Sequence, residues 1–188
     1  KYRCKMGTKM NEMQRVKREF FTLRNGLLGD LLRRQGLNYK IIFGLNIPQL
    51  IEIAATTPHD AQLAQQLWEN KTTRESLLLA PMIYPKEKFT LDNAKKWVSE
   101  VPTTEVADVL CHRLLRHLEY ANELAQELAG DENDLVRYTA LRLMFNLLPN
   151  NVDLTLLAAQ HELIKNVGVT APISRALIEE INYLKEGQ

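Results

Sequence analysis

Residues 103–148, TTEVADVLCHRLLRHLEYANELAQELAGDENDLVRYTALRLMFNLL, decide the fold. Val106, Val109, Leu110 and Leu114 recur at three- and four-residue intervals, the period of a helix with one buried face. A polar turn at residues 130–134 interrupts the pattern, so the stretch reads as three successive helices. The last begins at an acidic cap, Asp134, and sets Val136, Arg137, Ala140 and Leu143 at helical spacing. That order is expected of the inner helix of an antiparallel α-solenoid repeat.

Toward the amino terminus, Met10, Met13, Val16, Phe20 and Leu23 form one stripe of an amphipathic helix over residues 9–25. Lys9, Arg15, Lys17, Arg18 and Arg24 lie largely off that stripe. A short helix over 27–34 ends at Gly36. In YKIIFGLNIPQLIEIAA, residues 39–55, Asn46 can cap a helix whose first turn accepts Pro48 and whose inward face is Leu50, Ile51 and Ala54. Asp60 caps the next helix, with Leu63, Ala64, Leu67 and Trp68 inward. Thr73 opens TRESLLLAPMIY, apolar on nearly every side between Leu77 and Met82, which predicts burial between layers. Pro81 predicts a kink or an early stop near Ala80. Thr90 caps a helix to residue 100 with Leu91, Ala94, Trp97 and Val98 inward.

Toward the carboxyl terminus, helices over 154–164 and 172–184 flank a turn at 166–170. Sustained period-two alternation is missing throughout. Ten or eleven short helices joined by brief turns pack as antiparallel pairs, and the buried starts near Thr73, Glu132 and Thr170 lie 59 and 38 residues apart. The pattern favours an all-α fold, an α-solenoid of HEAT-like or armadillo-like pairs with irregular pitch, over a closed bundle. It is read as one domain over residues 1–188, with the basic helices of 1–40 packed on the array.

With 45% of its 188 residues apolar, the chain can bury one sizeable core. Its apolar runs are far shorter than the roughly 20 residues of a membrane span. No secretory leader pattern opens it, and Cys4 and Cys111 have no motif spacing, which together suit a cytoplasmic protein with reduced thiols. The net charge is +1, but residues 1–40 hold 11 Lys/Arg against 3 Asp/Glu, and the remainder 13 against 20. Such asymmetry fits nucleic-acid contact and equally the solvated faces of surface helices.

No phosphate loop, nucleophile elbow or zinc spacing is present, and no cofactor or metal is expected. Cys111 and His112 point in different directions on a helix and cannot share a metal. Asp108 lies beside the apolar face of its helix and either pairs with a cation such as Arg137 or serves a site. Tyr138 is open between core packing and a groove-facing aromatic.

Four segments carry a family resemblance: FGLNIPQLIEIA, residues 43–54; AQQLWENKTTRESLLLA, residues 64–80; KKWVSEVPTTEVADVL, residues 95–110; and NDLVRYTALRLM, residues 133–144. In order and spacing they resemble the AlkD-type DNA alkylation repair proteins over residues 38–184. The resemblance implies a right-handed superhelix of HEAT-like repeats whose basic concave face cradles duplex DNA. It implies hydrolytic excision of N3- and N7-alkylated purines, with Asp108 as the catalytic carboxylate and Arg137 as the backbone-holding arginine. Tyr138, Thr104, Arg15, Lys17, Arg18 and Arg24 are the further candidate DNA contacts. The sequence departs from the family at its aromatics. Thr104 stands four residues before Asp108, where a Trp is expected, Glu179 or a neighbour stands where a later Trp is expected, and a paired Arg-Arg has become Arg137-Tyr138. Two functions follow as alternatives: a DNA-binding glycosylase, or a non-catalytic helical scaffold that binds DNA structures or a protein partner.

Overall fold

Side chains that cap helix ends recur along the chain, and each marks a real helix. In a computed structural model describing residues 11–187, the described residues form eleven α-helices and two short 3-10 turns, with no strand. Expectations at Cys4, Lys9 and Met10 lie outside the described residues. No helix among the described residues is long and apolar enough to cross a membrane. Contacts gather the helices into two compact units, Lys1–Tyr84 and Pro85–Gln188.

The first unit holds α1 (Glu12–Thr22), α2 (Gly26–Arg34), α3 (Ile47–Thr56), α4 (Ala61–Glu69) and α5 (Arg74–Ile83). Asn11 and Asn46 each form a reciprocal capping box with a glutamine three residues on, and Asp60 caps α4. Val16 and Phe20 bury the inner stripe of α1, and Leu63, Ala64, Leu67 and Trp68 that of α4, as the spacing predicts. In α3 the inward residues are Leu50, Ile53 and Ala54, while Ile51 is 38% exposed. Ile51 lies a hundred-degree step from Leu50, whereas Ile53 returns to its face.

Helix α5 packs against α3 and α4 and is buried from Arg74 through Pro81. Pro81 does not end it at Ala80: the helix runs to Ile83, and the Tyr84 N–H bonds the Ala80 carbonyl. So near the end, Pro81 removes one backbone donor while close packing on all sides holds the last turn. Thr73 makes no capping bond; an isolated bridge to Ile41 fixes this helix start instead.

The first turn of α5 also buries two charges. Glu75 accepts the N–H groups of Phe43, Gly44 and Leu45 at 3.1, 3.0 and 3.4 Å, and Arg74 donates to Glu75 at 2.9 Å and to the Leu45 carbonyl at 3.0 Å. One carboxylate thereby satisfies three amides of a loop that has no sheet or helix to pair with. Gly44 sits at φ +76°, and a Cβ there would lie 2.1 Å from the Asn25 carbonyl oxygen.

The second unit holds α6 (Leu91–Ser99), α7 (Thr104–Arg113), α8 (Ala121–Leu128), α9 (Asp134–Leu147), α10 (Val152–Lys165) and α11 (Ala171–Glu186). Helix α9 packs against each of the other five. Its N-cap is Asn133 rather than Asp134, its side chain accepting from the Leu135 and Val136 N–H groups. Helix α7 closes at Arg113 and yields to a 3-10 turn over Leu115–His117, although the apolar spacing continues through Leu114. That turn buries both Leu114 and Leu115, adjacent residues that a continuous helix would point a hundred degrees apart.

Two glycines separate the sources of stability in the first unit. Gly36 also has positive φ, +99°, but open space around its Cβ position. Gly36→Ala is expected to cost about 1–2 kcal/mol from backbone strain alone, and Gly44→Ala clearly more because the clash is with backbone. Glu75→Gln, which removes a buried negative charge from beside Arg74 and from three loop amides, is expected to cost about 3–5 kcal/mol. Chemical denaturation of the three variants checks that order.

Candidate functional site

Helix α7 begins where the Thr103 hydroxyl accepts the Val106 N–H at 3.3 Å. Val106, Ala107, Val109, Leu110 and Cys111 are buried, which leaves Asp108 at the edge of the packed face with its side chain 39% exposed. Opposite it, Tyr138 and Arg142 lie four residues apart on α9 and share a face. Tyr138 Oη donates to Asp108 Oδ1 at 2.8 Å, and Arg142 donates from Nε to Oδ1 at 2.7 Å and from Nη2 to Oδ2 at 3.3 Å. The Arg142 contact is the two-pronged carboxylate geometry that fixes both partners in orientation. Phe145, one turn on, is half-buried with its ring centroid 5.8 Å from the Arg142 guanidinium.

The electrostatics keep both donors in their binding form. Burial, then the Asp108 charge and hydrogen bond, push the Tyr138 hydroxyl up to about 12, so it stays a neutral donor. For Arg142, burial disfavours the cation, but hydrogen bonds with Tyr138 and Asp108 outweigh it and the pKa rises. Asp108 is thus a carboxylate held by two donors with an edge open to solvent. Such a group can steady a developing positive charge or orient a water molecule.

The expected pair of Asp108 with Arg137 does not form. Residues 137 and 138 point a hundred degrees apart on a helix, so with Tyr138 at Asp108 the neighbouring arginine turns inward. Arg137 is 5% exposed and donates from Nε to Glu162 at 2.9 Å, from Nη1 to the Asp131 and Glu132 carbonyls at 2.9 and 2.8 Å, and from Nη2 to Asp134 at 2.6 Å. Glu162 also accepts from Thr170 Oγ1 at 2.8 Å and lies 2.9 Å from Lys165 Nζ. Burial works against ionised Glu162, yet hydrogen bonds from Lys165, Arg137 and Thr170 together lower its pKa.

The other candidates are dispersed. Thr104 is the half-buried first residue of α7, and Glu179 is exposed on α11. Lys17 and Arg18 are exposed on α1 and pair with no carboxylate among the described residues. Arg15 is tied to Glu12 and to the Thr56 carbonyl and Thr57 hydroxyl. Arg24 stacks 3.9 Å from the Phe21 ring centroid and donates to the Phe21 carbonyl. Sequence reasoning missed Arg142, although its four-residue spacing from Tyr138 was readable. It also missed a cationic edge one turn beyond Asp108, where Arg116 meets His112 Nδ1 at 3.1 Å. Burial and the neighbouring cations Arg113, Arg116 and His117 lower the His112 pKa, favouring its neutral form.

Cys111 is fully buried, and its thiol donates to the Thr139 carbonyl at 3.4 Å. Burial, then the Asp108 charge, raise its pKa far above the usual thiol range, so it packs rather than reacts. Among the described residues, no group of three His, Cys, Asp or Glu side chains is placed to hold a metal ion.

The two arginines of α9 should behave oppositely in thermal melts. Arg137→Met takes the buried guanidinium from Glu162, leaving it only Lys165 and Thr170, and is expected to cost about 3 kcal/mol, whereas Arg142→Met breaks a partly solvated pair worth about 1 kcal/mol or less. Because the folded pKa of Glu162 is lowered, its contribution is complete above the ordinary glutamate value of about 4.3 and is lost as pH falls through the folded value. Acid melts of Glu162→Gln should therefore fall less steeply below that pH than those of the wild type.

A model of the DNA alkylation repair enzyme family matches residues 8–177, a span that includes the Asp108 cluster and the buried Arg137 pair. Comparisons with curated proteins and with solved structures gave no match. Because the match covers most of the sequence, the chain belongs to the DNA alkylation repair enzyme family.

Proposed function

We propose that this protein binds duplex DNA and hydrolyses the glycosidic bond of cationic, alkylated purines, with Asp108 beside the reacting sugar. The observation that carries the proposal is the solvent-facing Asp108 carboxylate, oriented by Tyr138 and Arg142 on the helix at the centre of its unit. An N3- or N7-alkylated purine is already a cation and leaves readily. When its bond to the sugar breaks, the electron pair returns to the base and neutralises it. Positive charge then appears on the sugar, where a fixed carboxylate lowers the barrier. Water adds to the sugar carbon, and its proton passes to Asp108 or to solvent.

In this reading the helix pairs are HEAT-like repeats of a right-handed α-solenoid, and no cofactor takes part. Lys17, Arg18 and Arg24 offer cations to phosphates from α1 and its end, while Arg137 serves DNA only by fixing α9. Arg142 takes the place first given to Arg137. Phe145 supplies half-buried aromatic surface beside Arg142, whereas Tyr138, 7% exposed, packs its ring in the core and offers only its hydroxyl, and Thr104 offers no ring.

A second reading rests on a specific observation: Arg142 already balances the Asp108 charge, and Thr104 gives a cationic base no ring to stack on. A non-catalytic scaffold that binds DNA structures or a protein partner needs nothing more.

A duplex with a single N7-methylguanine tests both. The expected results are release of the free base and an affinity that falls steeply with salt, as phosphate contacts require. Reversing Lys17 and Arg18 to Glu should weaken binding to all sequences alike and flatten the salt slope by about two units, one per contact. Tight, salt-dependent binding without base release favours the scaffold. Affinity that is absent or flat with salt overturns the DNA reading.

A further inference from the structure

Away from the Asp108 cluster, α10 turns an apolar stripe to solvent. Leu154, Leu157 and Ile164 are 50%, 63% and 83% exposed, and exposed His161 completes the three-four-three spacing of a coiled-coil seam. The opposite side of the helix is anchored: Thr155, Ala159 and Glu162 are buried, and α10 packs on α9 and α11. Leu154, Leu157 and His161 also wall a groove of about 450 Å³ floored by Leu141 and Met144 of α9.

We propose that this face joins two copies of the chain through antiparallel pairing of α10 with its counterpart in the second copy. The seam is a palindrome about Ala159. Leu154 and Ile164 lie five positions to either side, Leu157 and His161 two, and the oppositely charged Asp153 and Lys165 six. A two-fold interface sets residue i against j and j against i. Antiparallel pairing therefore brings Leu154 of one copy level with Ile164 of the other, and Leu157 level with His161. Asp153 comes level with Lys165 across the seam at both ends.

Parallel pairing instead sets Asp153 beside Asp153 and Lys165 beside Lys165. The helix dipoles favour the same choice, since antiparallel helices place opposite ends together. Asp153 is 93% exposed where it meets Lys185 at 3.3 Å, a contact of the weak surface kind, and Lys165 keeps its 2.9 Å bond to Glu162 while its remaining ammonium N–H groups face the seam. The groove beside α10 receives the second copy's seam residues against Leu141 and Met144. A helix of 14 residues spans about 21 Å. Such a contact is at the small end of specific interfaces, and association in roughly the micromolar range is expected.

Sedimentation of the whole chain across a concentration series up to about 0.1 mM, well above a micromolar Kd, tests the proposal. The wild type should pass from monomer to dimer. Leu157→Lys, at a position exposed enough to leave the fold intact by circular dichroism, should remain monomeric, while Leu157→Met should dimerise. Orientation is read by cysteine pairing in a background with Cys4→Ser. Leu154→Cys protein mixed with Ile164→Cys protein should form a covalent heterodimer on mild oxidation, and Leu154→Cys alone should not cross-link. A wild type that stays monomeric throughout, a dimer that Leu157→Lys leaves intact, or self-cross-linking of Leu154→Cys overturns the proposal.

Discussion

The buried ion pair between Arg137 and Glu162 sets the geometry on which the candidate site depends. Four of the five guanidinium N–H groups are used, and Glu162 gathers Arg137, Thr170 and Lys165 around one carboxylate. Desolvating two charges is costly, so such a pair adds little net stability over an apolar pair of the same size. Its consequence is rotational. With Arg137 locked inward, the helical step of a hundred degrees leaves Tyr138 and Arg142 turned toward α7, and Asp108 receives both. Because α9 touches every other helix of its unit, that rotation is fixed from all sides.

Much of the fold was legible because local signals agreed with tertiary ones. Asn46, Asp60, Thr90 and Thr103 each cap the helix that spacing placed after them. The wholly apolar run around Leu77–Ala80 is fully buried, as its lack of a polar side required. The failures have physical causes too. Pro81 stays within its helix because packing on all sides outweighs one lost hydrogen bond, a balance no local rule can weigh. Ile51 was placed inward on hydrophobicity where angular position decides.

Asp108 lies at the edge of an apolar face, as its spacing implied, but its partner is Arg142 rather than Arg137. Two arginines on one helix lie within reach of a carboxylate in sequence terms, and both have acids available. What separates them is Glu162, 25 positions from Arg137 and invisible to local patterning. The four-residue spacing of Tyr138 and Arg142 was the available signal. The cationic edge at His112 and Arg116 was obscured by the break of α7 at Leu114, which a smooth helical projection does not anticipate.

The chemistry proposed for Asp108 asks little of the protein, since an alkylated purine brings its own charge and leaving ability. Aromatic stacking on a cationic base contributes about 0.5–2 kcal/mol per ring, so a site without the Trp at position 104 is expected to be slower rather than inert. The carboxylate is the component that cannot be replaced. Single-turnover release of N7-methylguanine by wild type and Asp108→Asn, at equal duplex occupancy and with thermal melts of both, therefore bears most directly on this account. The variant should keep its melting temperature to within a few degrees and lose release by about a hundredfold or more. Equal release by the two proteins, or an Asp108→Asn that unfolds while the wild type releases no base, would contradict it.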